Sequence, residues 1–403
     1  MRVAYVCADP GIPVFGRKGC SIHVQEVLRA LLKRGAAIDL YAARVDGQPP
    51  EGFSSIRVHE LPRVGGDTPA DRERMALANN AELRKVLATQ PPYEFIYERY
   101  SLWSHAAMDF AAASGVPGML EVNAPLIEEQ DQHRGLVDRA KATQVAERAF
   151  NSAASVLTVS DEVASYVCRF VREPLRVHVV PNGVDPSRFG PDVRAARAAR
   201  DGIFTVGFVG NMRPWHGLPL LVDAFEILHR RAPEVRLLLV GGGQEHESVR
   251  ADVSRRRLAD ATAFTGAVDR DEIPGLLASM DVAVAPYPQR PDFYFSPLKV
   301  YEYMAAGLPT VASAIGQLNQ IIHHEQTGLL VPPGDAGALA DAIDRLRHDS
   351  TSRRRLGRAA RQYVMRHHTW DSVVDRIIQL AHANRGARAS IARPARFVEE
   401  VGA

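Results

Sequence analysis

Short runs rich in β-branched and aromatic residues alternate with segments of helical period along the whole chain. This alternation restricts the fold more than any other feature of the sequence. VAYVC (3–7), AIDLYA, SIRVHEL, EFIYER, PGMLEVN, SVLTVS and RVHVVP read as strands, with helical stretches such as Ser21 to Arg34 and 69–89 among them. PNGVDPSRFGPDV then breaks the pattern, being dense in the Pro, Gly, Asn and Asp of loops and linkers. The pattern restarts with IFTVGFV, RLLLVGG, ATAFTG, DVAVAPY and LPTVAS. Repeated strand–helix units build parallel sheets with helices on both faces. A restart after a linker predicts two such sheets, so the fold class is α/β with two Rossmann-like, doubly wound domains. With 403 residues and 46% hydrophobic content, the chain can bury two cores. In open sheets of this kind ligands bind at the carboxyl ends of the strands, here expected to face a cleft between the domains.

Other totals exclude whole classes. A formal net charge of +2 is too balanced to argue for a nucleic-acid partner. Cys7, Cys20 and Cys168 are scattered and odd in number, without metal-ligand spacing or a disulfide framework. A reducing compartment fits them best. The amino terminus enters VAYVC at once, without a leader pattern. No apolar run approaches the roughly 20 residues of a membrane span. A cytoplasmic protein with no transmembrane segment is expected, which leaves a peripheral membrane contact open. The last helical segment, Trp370 to about Ala383, carries Val373, Val374, Ile377, Leu380 and Ala381 on one stripe. Residues 384–403 then form a tail, basic at first and acidic at the end.

A dinucleotide enzyme needs G-x-G-x-x-G directly after a strand. ADPGIPVFGRKGCSIH does not supply it, and GGGQEH (241–246) has His246 at the third glycine position. Three other stretches say more. In GRKGCSIHVQEVL (16–28) a loop with Arg17, Lys18 and Gly19 runs into a helix amino terminus, where free N–H groups favour a phosphate. In PDFYFSPLKVYEYMAAGLPTVAS (291–313), Ser296 and Pro297 lead into a helix. The Leu298 and Lys299 amides, the Ser296 hydroxyl and the Lys299 charge then suit a phosphate. Glu302, one turn on, can accept two hydrogen bonds from a ribose diol. The third stretch, GNMRPWHG (210–217), is a strand-to-helix turn holding Arg213, Trp215 and His216 between two glycines.

In this order the stretches resemble glycosyltransferase family 4, whose members have the GT-B fold. HVVPNGVDPSRFGP resembles the family's interdomain linker, while DVAVAPY, the block around Glu302 and TGLLVPPGD (327–335) resemble its carboxyl-terminal domain. The resemblance implies an acceptor-side domain over 1–183, a nucleotide-sugar domain over 184–369, and a helix at about 370–383 returning to the first domain. It implies transfer of a sugar from a nucleotide-diphosphate donor, UDP or GDP, to a hydroxyl acceptor that is a small molecule or a glycan- or lipid-linked one. It further implies retention of anomeric configuration. By the same resemblance Glu302 holds the ribose, Ser296 to Lys299 cradle the diphosphate, and Val268 contacts the base. Lys18 and Gly19 fall on the first domain's glycine-rich loop.

Three departures stand out against this pattern. The family's first glutamate, eight positions before Glu302, is Tyr294. Its first-domain histidine falls on Asn123, with Glu121, Glu128, Glu129 and His133 nearby as acceptor-side candidates. The arginine and lysine that normally stabilise the leaving diphosphate fall on Asn211, beside Gly210, and on His216. Arg213 is placed to supply one charge, and His216 a partial one. Trp215 is expected to serve packing. No Asp-x-Asp stands in a plausible metal loop, so no metal and no cofactor beyond the donor are expected. The alternatives are a nucleotide-sugar epimerase or a phosphorylase on the same fold, or a noncatalytic nucleotide-sugar-binding subunit.

Overall fold

Two parallel sheets, each with one reversal of strand order, organise the chain. The computed structural model describes residues 1–190, 192–196, 203–291 and 293–391. These divide into Met1–Val180 with the stretch from Val374 onward, and Pro181–Val373. The first unit holds β1 (Arg2–Cys7), β2 (Ala37–Ala42), β3 (Arg57–Glu60), β4 (Phe95–Arg99), β5 (Gly118–Val122), β6 (Ser155–Thr158) and β7 (Val177–Val179). They lie in the order β3-β2-β1-β4-β5-β6-β7, with every neighbouring pair parallel. The second unit holds β8 (Thr205–Val209), β9 (Arg236–Val240), β10 (Thr262–Phe264), β11 (Val282–Ala285), β12 (Thr310–Ser313) and β13 (Leu329–Val331). Their order is β10-β9-β8-β11-β12-β13, again parallel. The order reverses between β1 and β4, and between β8 and β11, which are the points where such sheets take ligands. The sequence reading had no separate strand at 329–331, where β13 lies within TGLLVPPGD.

The strands are apolar because helices cover both faces. β4 and β5 are buried throughout. In the second unit the alternation of side chains separates two cores. Val206, Phe208, Leu237, Leu239, Val282 and Val284 face one way, toward the helices Leu218–Arg231 and Ala336–His348. Val209, Leu238, Val240, Ala283, Ala285 and Ala312 face the other. Alanines on β11 and β12 leave room on that face for a helix with large residues. Leu298–Ala305 fills it with the fully buried Tyr301 and Tyr303.

The terminal helix runs Trp370–Ile391, further than the sequence period indicated. Val374, Ile377, Leu380 and Ala381 of the expected stripe are buried, and Val373 is half-buried. Within the first unit, Arg34 Nε donates to Asp375 Oδ1 at 2.5 Å and Asn384 Nδ2 to Ser155 Oγ at 3.0 Å. The part of the tail from 392 lies outside the described residues. No helix among the described residues is long and apolar enough to cross a membrane.

Candidate active site

GNMRPWHG is a tightly laced turn at the carboxyl end of β8. The Met212 N–H donates to the Gly242 carbonyl at 2.7 Å, and the Glu245 N–H donates to the Met212 carbonyl at 3.0 Å. The turn is thereby fastened to the glycine loop that follows β9. Pro214–His216 makes one 3-10 turn, and Gly217, at φ 71°, opens the helix Leu218–Arg231. A Cβ on Gly217 would overlap the Pro286 carbonyl, so glycine is required there for both space and φ.

Lys299 reaches this turn from the helix Leu298–Ala305. That helix is fixed by Tyr303, whose hydroxyl accepts from the Val209 N–H at 2.8 Å and donates to the Val209 carbonyl at 3.2 Å. Lys299 is 8% exposed. Its Nζ stands 4.3 Å from the centre of the Phe208 ring and 5.4 Å from that of Tyr287. A Cβ on Gly210 would lie 2.9 Å from Nζ, which places the amine against the first residue of the turn. The Nζ has no hydrogen-bond partner. The aromatic faces favour its charge, but burial dominates and lowers its pKa to about 7, with Glu302 pulling the other way.

His216 does not behave as the sequence suggested. Its Nδ1 donates to the Asn211 carbonyl, and its ring meets Tyr287 edge-on at 5.8 Å. Burial first, then the charge of Lys299, lowers its pKa to about 3. It is therefore neutral at pH 7 and locks the turn instead of charging it. Arg213 is the permanent cation. It is half-buried, reaches Gln244 Oε1 at 3.5 Å and makes no ion pair with a carboxylate among the described residues. The charges of Lys299 and, less strongly, Arg213 both disfavour a proton on His216.

Helix ends at the site are open. Leu298–Ala305, Leu218–Arg231 and Gly19–Lys33 begin at Pro297, Gly217 and Lys18 without a capping side chain, as some helices elsewhere also do. An uncapped first turn leaves amides for an anion.

The remaining second-unit residues surround this centre. Glu302 lies 3.8 Å from Arg188, a linker residue whose Nη2 also donates to the Arg270 carbonyl at 2.5 Å. Trp215 stacks on Phe295, with centroids 6.2 Å apart and planes at 11°, as a packing residue would. Phe295 also meets Tyr294 at 4.5 Å and Phe293 at 5.4 Å. The position that carries an acid in the resemblance is thus part of an aromatic wall. Val268 packs against the same core from the loop after β10. Ser296 is held by Asn182. Sequence reasoning missed Arg188, Asn182 and Tyr303; the first two stood inside the recognised linker, and the third read as plain core.

In the first unit, Lys18 Nζ donates to the Gly11 carbonyl at 3.3 Å, and Gly19 is the first helical residue. Asn123 is half-buried just past β5, and His133 is exposed at the end of the helix Leu126–His133. Glu121 is not open to an acceptor. The register Cys7, Arg99, Glu121 aligns three strand ends, and Glu121 meets His23 Nε2 at 2.5 Å and Arg99 Nη1 at 3.4 Å. Burial pushes its carboxyl up, but His23 and Arg99 outweigh this and bring it to about 2. A cavity of about 330 Å³ opens beyond β1 and β4, lined by Asp9, Ser101, Trp103, Glu129, Gln130 and Arg134 among others.

Comparison with known proteins gives the family. The family described as Glycosyltransferase Family 4 matches residues 17–188, and Glycosyl transferases group 1 matches 203–349. The D-inositol 3-phosphate glycosyltransferase of Stackebrandtia nassauensis is 28% identical over 387 residues, covering 89% of this chain and 85% of the relative. The glycogen synthase of Mycobacterium tuberculosis is 30% identical over 292 residues, covering 71% and 68%. The structure of Anabaena HepE in complex with UDP-glucose superposes with a TM-score of 0.69 at 19% identity, covering 95% of this chain and all of that one. The chain belongs to glycosyltransferase family 4, and its two parallel-sheet units are those of the GT-B fold.

Proposed function

We propose that the second unit binds a UDP- or GDP-sugar over the 210–217 turn and the helix Leu298–Ala305, and that the protein transfers the sugar with retention and without a metal ion. The observation that carries this is Lys299: a buried amine with no partner, held against the turn after β8. An amine buried without a partner loses charge and regains it beside an anion, and a diphosphate supplies one. Glu302 then takes the ribose diol, the Ser296–Lys299 turn the phosphates and Val268 the base.

In the reaction the bond from the anomeric carbon to the phosphate oxygen breaks. Charge collects on the departing diphosphate, where Lys299, Arg213 and the uncapped amides stabilise it. The acceptor hydroxyl attacks from the face the diphosphate leaves, and a phosphate oxygen takes its proton. His216 keeps the turn in shape as a neutral hydrogen-bond donor. Among the described residues no three His, Cys, Asp or Glu side chains gather to hold a metal. The UDP-glucose complex of HepE makes UDP the first nucleotide to test. The first-unit cavity joins an indole face to carboxylate, amide and guanidinium groups, a set that suits a polyhydroxylated acceptor.

The test is incubation with UDP-, GDP-, ADP- and dTDP-sugars, followed by NMR of the product anomer, with and without EDTA. Transfer or slow hydrolysis with the donor's anomeric configuration kept, unaffected by EDTA, is expected. Tight binding with neither transfer nor hydrolysis would instead make the chain a noncatalytic binding subunit.

A further inference from the structure

The donor chemistry above makes no use of the PNGVD stretch, yet its asparagine is deeply engaged. Asn182 is 7% exposed. Its backbone N–H donates to Ser296 Oγ at 3.3 Å, and its Nδ2 donates to the Ser296 carbonyl at 2.8 Å. Ser296 begins the turn that the donor reading assigns to the diphosphate. One residue therefore grips that turn at two points. Asn182 Oδ1 is buried and makes no hydrogen bond, so the side chain is held by its donor end alone.

The residues after Asn182 bind a different segment. The Val184 N–H donates to the His368 carbonyl at 2.9 Å, and the Trp370 N–H donates back to the Val184 carbonyl at 3.2 Å. Val184 and Thr369 form a parallel bridge. A Cβ on Gly183 would stand 2.7 Å from the Thr369 carbonyl carbon and from the Trp370 nitrogen, so glycine permits the approach. The chain passes from one unit to the other after Val180 and after Val373. Segments 182–184 and 368–370, which adjoin these two passages, are thus tied together, and Asn182 ties them to Ser296.

We propose that Asn182 is a positioning residue that sets Ser296 in the anion-binding turn and couples that turn to the paired segments at both chain passages. The proposal rests on the donor reading. A ligand shifts an equilibrium only through contacts that differ between the states. A diphosphate on Ser296–Lys299 makes such contacts at the residue Asn182 holds, so binding it firms the 182–184 and 368–370 pairing. Asparagine suits the task because its amide donates to a carbonyl. Aspartate keeps the shape but loses that donor, and alanine loses the side chain.

Hydrogen exchange followed by mass spectrometry tests this on the full chain, free and with saturating UDP or GDP. In the wild type, the nucleotide that binds slows exchange over 296–301 and also over 182–185 and 368–371. In Asn182→Ala and Asn182→Asp it slows exchange over 296–301 only. In both variants the donor KM rises about tenfold, as for one lost buried hydrogen bond, while kcat changes less. Slowing confined to 296–301 in the wild type overturns the coupling and leaves the donor reading intact. So do variants that keep the distant slowing, or that keep the wild-type KM. Absence of slowing anywhere with either nucleotide overturns the coupling and the donor reading together.

Discussion

Donor binding should move a proton. Burial over Phe208 and Tyr287, with no hydrogen-bond partner, brings the Lys299 amine to about 7. At pH 8 such a group is protonated in about one molecule in ten. A diphosphate beside it favours the charged form and returns it toward the ordinary lysine range of ~10.4, where it is almost fully charged at pH 8. Binding a nucleotide-diphosphate sugar should therefore take up about 0.9 proton per site at pH 8 and about 0.5 at pH 7. The donor's diphosphate has no group of its own that titrates near neutrality. The sign follows: the bound state holds more protons than the free state between about 7 and ~10, so affinity falls as pH rises through that window. The full span corresponds to about 4 kcal/mol. The assay is calorimetry at fixed pH in buffers of differing ionisation enthalpy, where the slope of observed against buffer enthalpy counts protons. Lys299→Met should remove the slope. A slope near zero for the wild type at pH 8, or an equal slope in the variant, would refute the reasoning.

Other outcomes follow from the same site. Lys299→Met should stabilise the free protein at pH 7, raising Tm by about 2–4 °C per kcal/mol gained. The folded pKa lies below the unfolded one, so the wild type gains stability as pH rises from 7 toward ~10, and the Tm gap in a thermal-shift series should narrow. Arg213→Ala should lower kcat about 100-fold or more with the fold intact, as for a lost oxyanion donor; a loss within tenfold would remove its role at the leaving group. Glu302→Ala should erase a preference of about 10–100-fold for UDP over 2′-deoxy-UDP, measured by calorimetry. His216→Asn, which can still donate to the Asn211 carbonyl, should keep most turnover, and the wild-type kcat should show no step from this histidine between pH 6 and 9. A 100-fold loss in the variant would mean that His216 acts as a cation.

The sheets, the linker and the glycine-bounded turn 210–217 were legible because each is written in local sequence. Apolar runs gave the parallel strands, and Pro, Gly and Asn gave the breaks. Lys299 was legible as a candidate phosphate contact because Pro297 marks a helix start. Its protonation state was not, since that depends on Phe208 and Tyr287, which arrive from β8 and from the loop after β11. His216 was misjudged for the same reason: a reference pKa describes a solvated ring, and this one is buried beside an amine. Glu121 was only one of several acceptor-side candidates, and strand register sets it against Arg99 while the first helix sets it against His23. Arg188 lies 114 positions before Glu302, beyond the reach of any periodicity.

The exchange of a usual cation for His216 now has a physical account. Two ammonium groups ~5 Å apart repel by about 3 kcal/mol at an effective dielectric of ~20, and burial penalises each of them further. A lysine at 216 would therefore push the Lys299 amine down, or be pushed down by it. A histidine in that place yields its charge at little cost, because its reference pKa is already ~6.5. It keeps the hydrogen bond to Asn211 that shapes the turn. On the proposed donor reading, Lys299 is then a buried group at the turn poised to gain charge when the diphosphate arrives. Arg213, less buried, would supply the other part of the field on the same reading. Departure of the diphosphate would draw on both, with the lysine's share created by the ligand it stabilises.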